Sequence, residues 1–119
     1  MLHGIEIYEI LDSGNILNGI YTNTGSRTPN DYQIDNEIAR KDIQDLSYNN
    51  GRIDGTYLHN RYIALSDPQI VTHCILTVTR HGEAFDFEWV DLNKATNTLW
   101  KGIGLMVGNN HVAVSYSKP

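Results

Sequence analysis

An all-β fold, an antiparallel meander closing into a barrel of about eight strands, is what this sequence predicts, on three observations. Thirty-nine of its 119 residues are Ile, Val, Thr, Tyr, Phe or Trp, against thirty-four Ala, Leu, Met, Glu, Gln, Lys or Arg. Branched and aromatic side chains suit a half-buried pleated surface. Four units open on a glycine and reach an aromatic ring six to eight residues later: Gly14–Tyr21, Gly51–Tyr57, Gly82–Trp89 and Gly108–Tyr116. Residues within these units alternate in character, the period of a sheet with one buried face. The length bounds one domain, residues 1–119, long enough to bury a core unaided.

In chain order, a first strand is expected over 3–11, where Ile5 and Ile7 alternate with Glu6. Asp12-Ser13-Gly14-Asn15 turns the chain into a second strand over 15–23. That strand runs through Asn18-Gly19, because Gly55 holds the equivalent place in a unit without a turn. Residues 23–30 are polar and read as a mobile loop. Residues 31–48 have two readings of equal weight. Tyr32, Ile34 and Ile38 fit a strand, whereas Ile34, Ile38 and Leu46 fit the face of one short helix within 35–46, capped by Asp35. Strands follow over 52–64, 70–80, 83–91, 97–107 and 110–117, with turns at His81-Gly82 and Gly108-Asn109. With a strand at 31–40 the count is eight. Eight strands can close and remove their edges, leaving an interior just wide enough for side chains or one small ligand.

Gly19 with Tyr21, Gly55 with Tyr57, Trp89, Trp100 with Gly102 and Gly104, and Tyr116 together resemble the pattern of calycin-type barrels, the avidin and lipocalin group. The resemblance covers most of the chain outside 24–50 and implies an eight-stranded meander barrel that binds small molecules. Gly4 is followed by Ile5 and Glu6 where lipocalins carry Gly-x-Trp, so what carries over is a fold and a binding habit, not a set of ligand contacts.

Charge narrows the partners. The net charge is −5, all of it within residues 1–59, and no Lys/Arg cluster occurs. A phosphate-backbone binder is therefore not expected. No apolar run is long enough for a membrane helix or a secretory leader, and the lone Cys74 permits no internal disulfide, which points to the cytoplasm.

Candidate chemistry lies on three strands. Phe85, Phe87 and Trp89 share one face, as core or as cavity wall, with Ala84, Asp86 and Glu88 on the other. Trp100 precedes Gly102 and Gly104, whose missing side chains let an aromatic or a ligand approach the backbone, or let the sheet curve. Tyr57, His59 and Arg61 fall on one face of the 52–64 strand, the inward one if Ile53 marks it, and could grip an anion or polarise a carbonyl near a barrel mouth. The five histidines show no metal-ligand spacing, and His73 and Cys74 point to opposite faces, so neither metal nor cofactor is expected. Cys74 reads as a buried, inert thiol.

The expected function is a non-catalytic barrel binding a small apolar or amphipathic molecule in its interior. Tyr21, Tyr57, Phe85, Phe87, Trp89 and Trp100 would form the walls, with His59 and Arg61 near the mouth. One alternative is a small barrel isomerase or cyclase that positions its substrate, using His59, Arg61 and Asp86. Another is an inhibitor or regulatory protein acting through the acidic half and residues 24–50. A homodimer through an apolar outer sheet face fits all three.

Overall fold

Glycine in left-handed backbone makes two of the tight reversals of the chain, at Gly82 and Gly108, each with φ 67°. A side chain is strained there, and glycine is not. The computed structural model describes residues 2–25, 31–63 and 71–119. Eight strands appear in it: β1 (His3–Leu11), β2 (Ile16–Asn23), β3 (Asp35–Arg40), β4 (Gly55–Ile63), β5 (Val71–His81), β6 (Ala84–Asp91), β7 (Lys94–Val107) and β8 (His111–Ser117). Each pairs antiparallel with the next, and β8 returns to β1 from His3↔Ser117 to Glu9↔His111, closing the barrel in simple order. A 3-10 turn at Asp12–Gly14 joins β1 to β2. Among the described residues no helix is long and apolar enough to cross a membrane. Residues 26–30 of the loop expected to be mobile, with residues 64 and 70 at two expected strand ends, lie outside the described residues.

The short helix within 35–46 does not form. Asp35–Arg40 is strand β3, and the chain beyond it runs in successive turns, with Asp45 N donating to Asp42 O at 2.9 Å and Tyr48 N to Asp45 O at 3.0 Å. The reason is burial. Leu46 stands fully exposed and Ile43 74% exposed, so the apolar helical face had nothing to pack against.

Alternation on β1 runs opposite to hydrophobicity. Glu6 and Tyr8 point into the barrel, whereas Ile5 and Ile7 are 62% and 48% exposed. The interior is built instead from Tyr8, Leu17, Tyr57, Leu76, Phe87 and Val112, with the Tyr8 and Phe87 rings stacked at 5.9 Å. Strand β2 does run through Asn18-Gly19. Gly104 lies under Phe87, where an added β-carbon would stand 2.6 Å from Phe87 Cε1. This strand glycine therefore serves ring packing.

A bulge corrects the face assigned to His59 and Arg61. Tyr57 pairs with Leu76 and Asn60 with Cys74, so β4 spends three residues where β5 spends two. An extra residue reverses the in–out phase beyond it. Tyr57, Asn60 and Tyr62 consequently face inward, while His59 and Arg61 are exposed.

One end of the barrel is closed by the segment between β3 and β4. The Lys41 side chain, nearly buried, donates through Nζ to Ser47 O, Arg52 O and Asp54 O at 3.0–3.1 Å and to Asn50 Oδ1 at 3.3 Å. Its ammonium sits 5.4 Å above the Tyr57 ring. Ile53, from the same segment, joins the core.

Candidate functional site

Inward positions near the opposite end, where β2, β4, β6 and β8 finish, carry aromatic rings in place of aliphatic side chains. Tyr21 of β2, Tyr62 of β4, Trp89 of β6, Trp100 of β7 and Tyr116 of β8 surround a cavity of about 250 Å³. Tyr116 meets Trp89 at 5.8 Å and Trp100 edge-on at 5.3 Å, and Tyr21 meets Tyr62 edge-on at 6.2 Å. Edge-to-face rings hold one another in place, which fixes the walls. The Tyr116 hydroxyl accepts from Asn23 Nδ2 and donates to Thr22 O, both at 3.2 Å.

Two carboxyl groups, Glu6 of β1 and Glu37 of β3, also line the cavity, each only 3% exposed. Glu37 Oε2 accepts from Tyr8 Oη at 2.8 Å, Asn60 Nδ2 at 2.6 Å and Trp89 Nε1 at 2.8 Å. Three donors on one oxygen favour the ionised form of Glu37, although burial pushes its pKa up. Glu6 hydrogen-bonds Glu37. Two carboxyls can share a hydrogen bond only if one is protonated. Burial first, and the neighbouring Glu37 second, hold Glu6 well above the ordinary glutamate range. Glu6 is therefore the protonated member and donates to Glu37. Its Oε2 is buried and has no hydrogen-bond partner among the described residues. Burial likewise raises Tyr62, to about 12, and Cys74, whose thiol is capped by Asn60 Oδ1 at 3.4 Å. Neither ionises near neutrality.

Of the residues singled out in the sequence, Tyr21, Trp89 and Trp100 come together at this cavity. Phe87 lies deeper, between Tyr8 and Trp89, as packed core. Tyr57 is wholly buried at the closed end, its hydroxyl 2.8 Å from Gly14 O and 2.7 Å from Ile53 O. Phe85 is half-buried near that same end, beside Ile10 and Met106. His59, its side chain 58% exposed, pairs with Asp42 outside at 3.1 Å, and Arg61 is also outside. The bulge thus removes His59 and Arg61 from any interior role. Asp86 faces solvent beside His81. Sequence reasoning missed Glu6, Glu37, Tyr62 and Tyr116 as lining residues. The signal for the first was present: Glu6 lies in phase with Tyr8, and a tyrosine on a strand marks the interior of a small barrel better than isoleucine does.

Among the described residues, no three His, Cys, Asp or Glu side chains gather where they could share a metal ion. The arrangement offers instead an aromatic enclosure, a buried carboxyl pair, and one ammonium, Lys118, on the lining. No protein-family model, curated protein or solved structure matches this chain.

Proposed function

We propose that the protein is a calycin-like, non-catalytic barrel that takes up a small amphipathic molecule in the cavity where β2, β4, β6 and β8 finish. The cavity walled by Tyr21, Tyr62, Trp89, Trp100 and Tyr116, beside a buried carboxyl pair, carries this reading. Mostly apolar walls with a few convergent polar groups are the usual make-up of a ligand pocket. At about 30 Å³ per water, 250 Å³ is the room of roughly eight waters, so the ligand is small. The Lys41-bound segment packs across the other end.

Trp89 and Trp100 are the chain's two tryptophans, and both line the cavity. Their fluorescence therefore reports occupancy directly. Native mass spectrometry of protein purified without denaturation, followed by fluorescence titration with what is released, should show a bound small molecule and a saturable change. Protein that carries nothing and stays spectrally silent across a panel of small aromatic and aliphatic compounds would overturn the reading.

The shared proton favours one alternative: the same cavity as the site of a proton-transfer isomerase, with Glu6 as acid and Glu37 as base. Glu37→Gln would then abolish turnover while ligand still binds. Two further proposals concern the whole chain. A cytoplasmic setting is supported by the single buried thiol. A homodimer is supported by the apolar outer face of β7, β8, β1 and β2, described in the Discussion.

A further inference from the structure

Five rings and two carboxyl groups set the electric field inside this cavity. Ring faces are negative, and a cation within about 6 Å of a ring centroid is attracted to them. Glu37 adds a formal charge in a place shielded from water, where charges act more strongly than at the surface. Asp35 lies close enough to act on Tyr21 and Tyr116. Among the described residues, Lys118 is the one basic side chain on the lining. Its ammonium stands 5.2 Å from the Trp100 centroid, so a cation already occupies one of these ring faces.

Glu6 and Glu37 complete the pattern, because both carboxyl groups are buried on the cavity lining. A purely apolar ligand would leave the Glu37 charge unanswered. An anion would meet both charge repulsion and the ring faces. An ammonium supplies N–H donors, countercharge and a cation for the rings at once. We infer that the ligand is a small organic ammonium, its nitrogen directed at Glu6 and Glu37 and its apolar body held against Trp89, Trp100 and Tyr116. This inference rests on the cavity being the ligand site. Lys118 then acts as an internal competitor at the mouth, withdrawn when the ligand enters.

Three probes share one phenyl body and differ in charge: 2-phenylethylamine, 2-phenylethanol and phenylacetate. Each is titrated at pH 7 against the tryptophan fluorescence of the wild-type chain, Glu6→Gln, Glu37→Gln and Lys118→Ala. The amine should bind at least about tenfold tighter than the alcohol, and phenylacetate most weakly, as expected for desolvated cation–ring and carboxylate contacts. Glu6→Gln, which keeps a neutral group and a donor to Glu37, should leave the amine preference within about threefold of wild type, whereas Glu37→Gln, which removes the charge, should bring the amine to within about threefold of the alcohol. Lys118→Ala, on an exposed residue, should tighten the amine a few-fold by removing the competing charge. An alcohol as tight as the amine, phenylacetate as the best probe, or weaker amine binding in Lys118→Ala overturns the ammonium assignment but leaves the cavity a binding site. Silence of all three probes up to about 10 mM, with no released ligand, removes both.

Discussion

Glu6 shows what a single residue can cost and why the chain keeps it. In the unfolded chain its carboxyl titrates in the ordinary glutamate range, whereas in the barrel burial and Glu37 keep it protonated to well above that range. Glu37 from β3, Tyr21 from β2, Tyr116 from β8 and Cys74 from β5 all act electrostatically on it or are acted on by it, and none brings a positive charge. Between the two pKa values the folded state binds more protons than the unfolded state, so stability falls as pH rises through that window. Each pH unit of the window costs about 1.4 kcal/mol. Glu6→Gln keeps a donor for Glu37 and removes the titration. Urea unfolding should therefore give similar midpoints for the two proteins near pH 5 and a clearly higher midpoint for Glu6→Gln at pH 8. Equal midpoints at both pH values would mean that Glu6 is not protonated in the fold. A binding group that lowers stability at working pH is a usual property of functional sites.

The same scale separates true lining residues from expected ones. Tyr62→Ala should weaken cavity binding by about tenfold, the loss of one ring contact worth roughly 1.4 kcal/mol. His59→Ala and Arg61→Ala should each change it less than about twofold. Fluorescence titration of the three variants decides. A large loss in His59→Ala would put the ligand outside the barrel, against the Asp42–His59 pair.

At the scale of elements, the strands were readable because their signals are local: turn glycines, alternation and ring spacing. What was not readable is phase. Ile5 and Ile7 are as hydrophobic as any residue of β1, and a strand alone gives no reason to bury Glu6 in their place. The reason lies on other strands, in the Glu37, Trp89 and Asn60 network that receives it together with Tyr8. The β4 bulge is equally non-local, because it is defined by the Leu76 and Cys74 spacing on β5. Helical periodicity at 34–46 failed for a related reason: a periodic pattern is only a stripe until something covers it.

The segment closing the far end makes an element-scale prediction. Residues 41–54 hold little regular structure, and one ammonium gathers four of their oxygens. Lys41 N also donates to Asn15 O at 2.9 Å, tying the segment to the β1–β2 turn. Lys41→Met keeps the stem over Tyr57 but leaves those oxygens without their shared donor. It should cost about 3 kcal/mol, at the upper end for hydrogen bonds to a charged group. Amide exchange should speed up across 42–54 while β5 to β8 stay protected. Uniform acceleration through the barrel would instead make Lys41 part of the global core.

At the scale of the whole molecule, burying polar residues on β1 has an outer counterpart. Leu105, Ala113, Ile7 and Ile20 stand side by side across β7, β8, β1 and β2, and Ile103, Ser115, Ile5 and Thr22 form the next row. Leu105, Ile103, Ile5 and Ile20 are all more than half exposed, and Ile34 extends the face at 63%. Neither row contains a charge, on a chain whose net charge is −5. Contiguous apolar patches of several hundred Å² are seldom left in water, and a face that is flat, uncharged and paired across strands is suited to a twofold copy of itself. A second chain is the favoured occupant because it brings an equally uncharged surface, whereas an arbitrary partner of a −5 protein would be selected for positive charge. Sedimentation equilibrium should show a dimer at about 50 µM, and Leu105→Glu or Ile7→Glu should return monomers with unchanged cavity binding, since both side chains point away from the interior. A wild-type chain that stays monomeric to about 200 µM would leave the outer rows without a partner of their own kind. It would not touch the cavity, because the two surfaces share strands but lie on opposite faces of them.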